Sequence, residues 1–161
     1  MRRIVTTTSG GDRSRLRACP RQVCRPVQRF NLRVRPQVKA KIVVPEPGLL
    51  ELVKIKGKGR GVVTTRAIRK DTVVEAGAVI RMKKADRLDR DNVLSNYPFE
   101  WDDKPYIQAF SVGWAGLLNH SDDPNCKIEA DIEGQVLEIT TIRDVEAGEE
   151  LCWNYGIDPW W

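Results

Sequence analysis

From Leu49 onward the apolar residues fall in short β-branched runs, each five to seven residues long and cut off by Gly, Lys or Asp. Residues 49–55, 61–67, 72–76 and 78–82 are such runs. Branched side chains pack well on a pleated surface and lose rotamer freedom in a helix, so these read as strands. Residues 97–101 and 106–110 read as further strands, and 126–131 and 136–141 flank Glu133-Gly134, a hairpin signal. Only residues 83–94, short and highly charged, read as a helix. Many short strands and one short helix predict a small, curved, mainly-β domain, and 161 residues leave room for one such domain with a modest core.

Charge divides the chain at nearly the same place. Residues 1–45 hold ten Arg and two Lys against one acid, Asp12, while residues 46–161 hold fifteen basic residues against twenty-one acidic ones. A net +5 therefore joins a strongly basic arm to an acidic body, two objects suited to different partners. The body should attract a cationic peptide and the arm an anionic surface such as nucleic acid. Residues 1–45 show no sustained period, carry Thr6-Thr7-Thr8-Ser9-Gly10-Gly11 and have prolines at 20, 26, 36 and 45. Such a segment cannot bury enough apolar surface to offset its ordering entropy, so a disordered arm is expected. Three uses of it stay open: nucleic-acid contact, a transit peptide, or an extension from a start codon placed too far upstream. The domain itself is expected over residues 46–161.

Other classes are disfavoured. No run of about 18 apolar residues is present, so no membrane span is expected. No apolar h-region follows the N-terminus, which argues against a signal peptide. Cys19, Cys24, Cys126 and Cys152 are too few and too scattered for a disulfide framework. Reduced thiols in an intracellular protein, in nucleus or cytoplasm, are the expectation, with organelle import if the arm is a transit peptide.

Taken singly, the motifs are weak. Gly57-Lys58-Gly59-Arg60-Gly61 lacks the spacing of a dinucleotide loop and has no Lys-Ser or Lys-Thr to close a phosphate loop, so it reads as a glycine turn that lets backbone approach a ligand. His120, the one histidine, has no second His or Cys pair beside it for a metal or a triad. Trp160 and Trp161 are unusual in a solvated tail and are expected to fold back over the body or over a ligand.

Together they carry more. Gly59-Arg60-Gly61-Val62, Arg66-Ala67-Ile68-Arg69-Lys70, Glu75 and Asn96-Tyr97-Pro98-Phe99 come first. Asn119-His120-Ser121-Asp122-Asp123-Pro124-Asn125-Cys126 and Gly148-Glu149-Glu150-Leu151-Cys152-Trp153-Asn154-Tyr155-Gly156 follow. In this order, over roughly residues 50–157, the chain resembles the SET-domain protein-lysine methyltransferases, and in particular the small stand-alone members of viruses, algae and bacteria. The resemblance implies the family's β-clip fold of small curved sheets, with the Asn119-His120 and Tyr155 segments threaded in a knot-like way. It also implies S-adenosylmethionine as methyl donor and a lysine in a basic protein tail, such as a histone, histone-like or ribosomal protein, as acceptor.

Carried over residue by residue, Gly59, Arg60, Gly61, Asn119 and His120 would contact the cofactor, largely through backbone, with Trp160 closing over it. Tyr155 would be the catalytic tyrosine, Tyr97 would line the lysine channel beside it, and Trp153 would stand where the family decides how many methyl groups are added. Asp122 replaces the family's zinc-ligating Cys and no cysteine follows the last motif, so no metal is expected. Asn154 stands where Asp is usual, and the methylation state stays open. A homodimer stays open too, as does a second class of function: a catalytically weak binding module tethered to nucleic acid or chromatin by its arm.

Overall fold

The computed structural model describes residues 41–89, 91–102 and 107–156. Strands β1 (Leu50–Ile55) and β2 (Gly59–Thr64) form an antiparallel hairpin running from Leu50↔Thr64 to Ile55↔Gly59. The glycine string is the turn between them, with Gly57 and Gly59 in the left-handed region at φ +80° and +88°.

Strand β3 (Val73–Met82) unites two of the expected strands. They look separate in sequence because the partner changes near Gly77. Val73 to Ala78 pair with β8 (Val136–Thr141), whereas Val79 to Met82 pair with β5 (Gln108–Ser111). With β4 (Phe99–Glu100) and β7 (Cys126–Asp131), these strands make a five-stranded sheet in the order β4-β5-β3-β8-β7. β7 and β8 have the expected bounds. Their four-residue connection is closed by the Gly134 N–H donating to Asp131 Oδ1 at 2.7 Å, and Gln135 rather than Gly134 takes the left-handed position, at φ +53°.

The expected helix over 83–94 is not there. Lys84–Asp86 and Val93–Asn96 are separate 3-10 turns, and a third, Trp114–Leu117, lies near the site. Local side chains compete with helical hydrogen bonds in the first two. The Asp86 carboxylate turns back to accept from the Lys83 N–H at 2.8 Å, and the Asn92 side chain accepts from the Leu94 N–H at 2.9 Å. No helix among the described residues is long and apolar enough to cross a membrane.

The core lies on the inner face of the five-stranded sheet, where Trp101, Phe99, Leu118, Leu137, Ile139, Leu151 and Val62 are fully buried. Burying each such side chain contributes about 1.5–3 kcal/mol, which fixes the framework on which the site rests. Finally, β6 (Asn119–His120) and β9 (Cys152–Trp153) pair in parallel, Asn119↔Cys152 and His120↔Trp153. Residues 148–151 dock on β2 through Gly148 N–H to Thr64 carbonyl (2.7 Å) and Leu151 N–H to Val62 carbonyl (2.8 Å). The two C-terminal motifs thus lie side by side and against the glycine turn.

Candidate active site

A pocket of about 460 Å³ opens where these segments converge, within the size range of small-molecule sites. One wall is Gly57 to Arg60; another runs from Ala115 to His120. Asn96, Tyr97, Phe99, Trp153 and Tyr155 complete it. Of the residues singled out in the sequence, the structure brings Gly59, Arg60, Tyr97, Asn119, His120, Trp153 and Tyr155 to one cavity.

Gly61 does not line it. A Cβ there would meet Glu150 Oε1 at 2.5 Å, the Ile55 side chain at 2.6 Å and Asn119 Nδ2 at 2.8 Å, so its glycine is required by close packing behind the wall. Trp160 and Trp161 lie outside the described residues, and so does the arm over residues 1–40.

The Tyr155 hydroxyl donates to the Leu118 carbonyl at 2.7 Å, which turns its lone pairs away from that carbonyl. Its ring sits 4.9 Å from that of Trp153, and Trp153 stacks on Phe99 at 6.2 Å, giving the pocket one aromatic end. At the other end the Lys58 ammonium donates to Glu150 Oε2 at 3.1 Å and to the His120 carbonyl at 3.4 Å. The Asn119 amide is occupied within the protein, donating to the Arg60 carbonyl (2.9 Å) and Glu150 Oε1 (2.7 Å).

Three motif residues to which the sequence reading gave no site role hold this geometry. Glu75, buried in β3, accepts from the backbone N–H of Trp114 at 2.8 Å and of Ala115 at 3.3 Å, fixing the turn that leads to Leu118. Burial pushes its carboxyl above the usual range, and these two N–H groups oppose the rise. Asn125 is buried and donates to Glu149 Oε1 (2.9 Å) and the Glu150 carbonyl (2.8 Å) while accepting from the Cys152 N–H (2.8 Å). It ties one motif to the other, although Asp122-Asp123-Pro124-Asn125 in sequence looks like an ordinary turn.

Glu149, the third, is held down to about 2 by the hydrogen bond from Arg143 at 2.7 Å, against the opposing effect of burial and with help from the Glu146 N–H and Asn125. The signal for Glu75 and Asn125 is a polar residue within an apolar or turn segment, which pattern alone does not interpret. The Leu118 carbonyl has no side-chain signal at all.

Cys126 and Cys152 are free and buried, and burial pushes their thiols up to about 12 and about 11, so neither is a reactive nucleophile. Among the described residues, no group of three or more His, Cys, Asp or Glu side chains is placed to hold a metal ion.

Known proteins resemble this chain. The histone-lysine N-methyltransferase of Schizosaccharomyces pombe specific for H3 lysine-37 is 28% identical over 113 residues, covering 69% of this chain and 76% of that protein. The N-lysine methyltransferase KMT5A of Xenopus tropicalis is 34% identical over 120 residues, 66% of this chain but only 36% of that protein. The chain spans 7% of a Cryptococcus neoformans H3 lysine-36 enzyme to which it is 43% identical over 56 residues. A crystal structure of a Plasmodium falciparum protein described as a histone methyltransferase superposes with a TM-score of 0.56 at 21% identity, covering 71% of this chain and 99% of that one. That likeness establishes the fold. The SET domain family profile matches residues 59–156, from the glycine turn to the end of the last motif, and the chain belongs to the SET domain family.

Proposed function

We propose that this protein transfers a methyl group from S-adenosylmethionine to a lysine in a basic protein tail, such as that of a histone, histone-like or ribosomal protein. The observation that carries the reading is the Tyr155 hydroxyl, held on the Leu118 carbonyl at 2.7 Å in a pocket that the glycine turn Gly57 to Arg60 also lines.

The pocket fits the cofactor. A Cβ at Gly59 would point into open space, so this wall can be approached closely. The Lys58 ammonium and the His120 carbonyl offer a cation and an acceptor to a zwitterionic amino-acid end, and Trp153, Tyr155 and Phe99 offer ring faces to a cationic centre. Gly59, Arg60, Asn119 and His120 would hold it, with Gly61 admitting the close packing behind them and Trp160 reserved for closure. When bound, the cofactor supplies an electrophilic methyl on a sulfonium.

The chain's residues then supply alignment, which can account for several kcal/mol of a displacement barrier. Tyr155 donates to Leu118 and so presents lone pairs by which an amine N–H can be oriented. Tyr97, Phe99 and Trp153 form an apolar surround that favours the neutral amine, the form able to attack, so no strong base is required. The acidic body favours approach of a basic tail, chiefly through association rate.

Histones among the relatives' substrates favour a nuclear or other intracellular setting. The test is methyl transfer from labelled S-adenosylmethionine to core histones and to a cell lysate. Label on one lysine of a basic protein is the expected result. Cofactor binding without transfer to any protein would favour a binding module, and no cofactor binding would refute the site.

A further inference from the structure

We propose that the tip of the β1–β2 hairpin is a nucleic-acid contact surface, on which Lys54, Lys56 and Arg60 bind the phosphate backbone of a duplex. It is separate from the basic arm. Its use, though not its existence, rests on the methyltransferase reading: it holds the protein on the nucleic acid that carries a basic substrate protein.

Charge is segregated within the body as well as between body and arm. Residues 54–60 carry four cations and no acid, whereas the rest of residues 46–161 holds eleven basic residues against twenty-one acidic ones. Several cations elsewhere are met by acids: Arg66 by Glu46 at 2.8 Å, Lys127 by Glu129 at 2.9 Å and Arg143 by Glu149 at 2.7 Å. At the tip only Lys58 is, on Glu150 at 3.1 Å. Lys54, Lys56 and Arg60 are exposed, and among the described residues their side chains have no ion-pair partner.

The register makes this arrangement costly. Lys54 and Arg60 are direct cross-strand partners, and like charges directly opposite on an antiparallel pair repel. Lys56 adds a third cation at the start of the turn. Glu51, the one acid of the hairpin, pairs with Val63 and so lies on the other face from Lys54. An anion among the three cations removes the repulsion, and a duplex offers one negative charge per about 1.7 Å of its axis. Two residues along a strand separate Lys54 from Lys56 by about 6.6 Å, so their flexible stems can each take a separate phosphate.

A Cβ at Gly57 or Gly59 would meet nothing within 4 Å, so the protein does not crowd the turn. The acidic remainder of the body repels the same polyanion, which restricts contact to the tip. Lys58 and Arg60 continue from the tip into the lining of the pocket, while Lys54 and Lys56 do not line it. A duplex held on the tip therefore lies at the rim of the pocket, where a basic protein bound to that duplex can present a lysine.

The test is binding of a short fluorescent DNA duplex by the full chain across a salt series, in the wild type and in Lys54→Gln/Lys56→Gln. Each phosphate contact contributes about 0.9 to the slope of log affinity against log salt, so the slope of the double variant should be smaller by about 2. Its affinity should fall on the order of 10-fold at moderate salt. Arg69→Gln/Lys70→Gln removes the same charge beyond the other end of the hairpin and should leave the slope unchanged. An unchanged slope in Lys54→Gln/Lys56→Gln assigns all binding to the arm, and an equal fall in Arg69→Gln/Lys70→Gln assigns it to general charge; either overturns the proposal. Loss of binding to anionic phospholipid vesicles with DNA affinity intact would make the tip a membrane contact and overturn it as well.

The denaturant midpoint of the double variant should stay at or above that of the wild type, because repulsion is relieved. A lower midpoint would make the lysines supports of the hairpin itself and contradict the proposal. None of these measurements uses a methyl donor, so failure of the methyltransferase reading is distinguishable from failure of this one. With that reading in place, transfer to a DNA-bound histone should fall on the order of 10-fold in the double variant, and transfer to a free histone tail should not change. Equal loss on both would place the lysines in the transfer site and refute the contact surface.

Discussion

Two segments close on the pocket, each held by one glutamate, and the two are held in opposite ways. Residues 113–118 hang from Glu75, a buried carboxyl with two backbone N–H partners, whose affinity for protons is raised by burial. Residues 146–151 are organised by Glu149, a partly exposed carboxylate bonded to Arg143, the Glu146 N–H and Asn125, whose affinity for protons is lowered. The first segment is fixed by steric enclosure, the second by charge and a polar network. Substitutions should separate the two mechanisms.

The largest effect is expected at the enclosed carboxyl. In Gly113→Ala the new Cβ would fall on the Glu75 carboxyl, so the turn must move; about 3 kcal/mol of stability and most methyl transfer should be lost. A denaturant midpoint and a transfer assay check this, and the cost should shrink when Glu75→Ala is combined with it. Next comes Asn125→Ala, which leaves the buried Cys152 N–H and the Glu150 carbonyl without their partner. About 2–3 kcal/mol is expected, again by denaturant midpoint.

The pH dependence of two isosteric variants sharpens the contrast, because the signs differ. Glu75 has a raised folded pKa, so its contribution is fully present below the unfolded value near 4.5 and is lost as pH rises through the folded value. Glu149 has a folded pKa of about 2, so its contribution is present above 4.5 and is lost as pH falls towards 2. Relative to wild type, Glu75→Gln should therefore cost less at pH 7 than at pH 4, and Glu149→Gln should cost less at pH 3 than at pH 7. Parallel curves for the two variants would break the comparison. The smallest effect belongs to Arg143→Ala, which removes an ion pair whose side chains are 44% and 28% exposed; about 0.5 kcal/mol, screened by added salt, is expected.

What was legible in the sequence follows the same division between local and tertiary causes. The β7–β8 hairpin reads correctly because alternation, turn chemistry and tertiary pairing agree there. The 83–94 segment misleads because its charges fit a helix face, while Asp86 and Asn92 satisfy nearby backbone donors and stop a helix from growing. β3 reads as two strands since a change of partner has no local signature. Among the residues lining the pocket, those singled out by side-chain type in an ordered set of motifs include Tyr97, Asn119, His120, Trp153 and Tyr155. Glu75 and Asn125 act through backbone groups distant in sequence, and Leu118 through a carbonyl alone. No spacing encodes those contacts.

On the proposed mechanism, Tyr155 serves the transfer step and does not hold the cofactor. Calorimetric binding of S-adenosylmethionine, paired with single-turnover transfer, tests it in the wild type and in Tyr155→Phe. The variant should bind the cofactor within about 2-fold of wild type and transfer methyl about 10²-fold more slowly. Loss of binding in step with loss of transfer would contradict it, and would make the Tyr155 bond to Leu118 a support of the pocket alone.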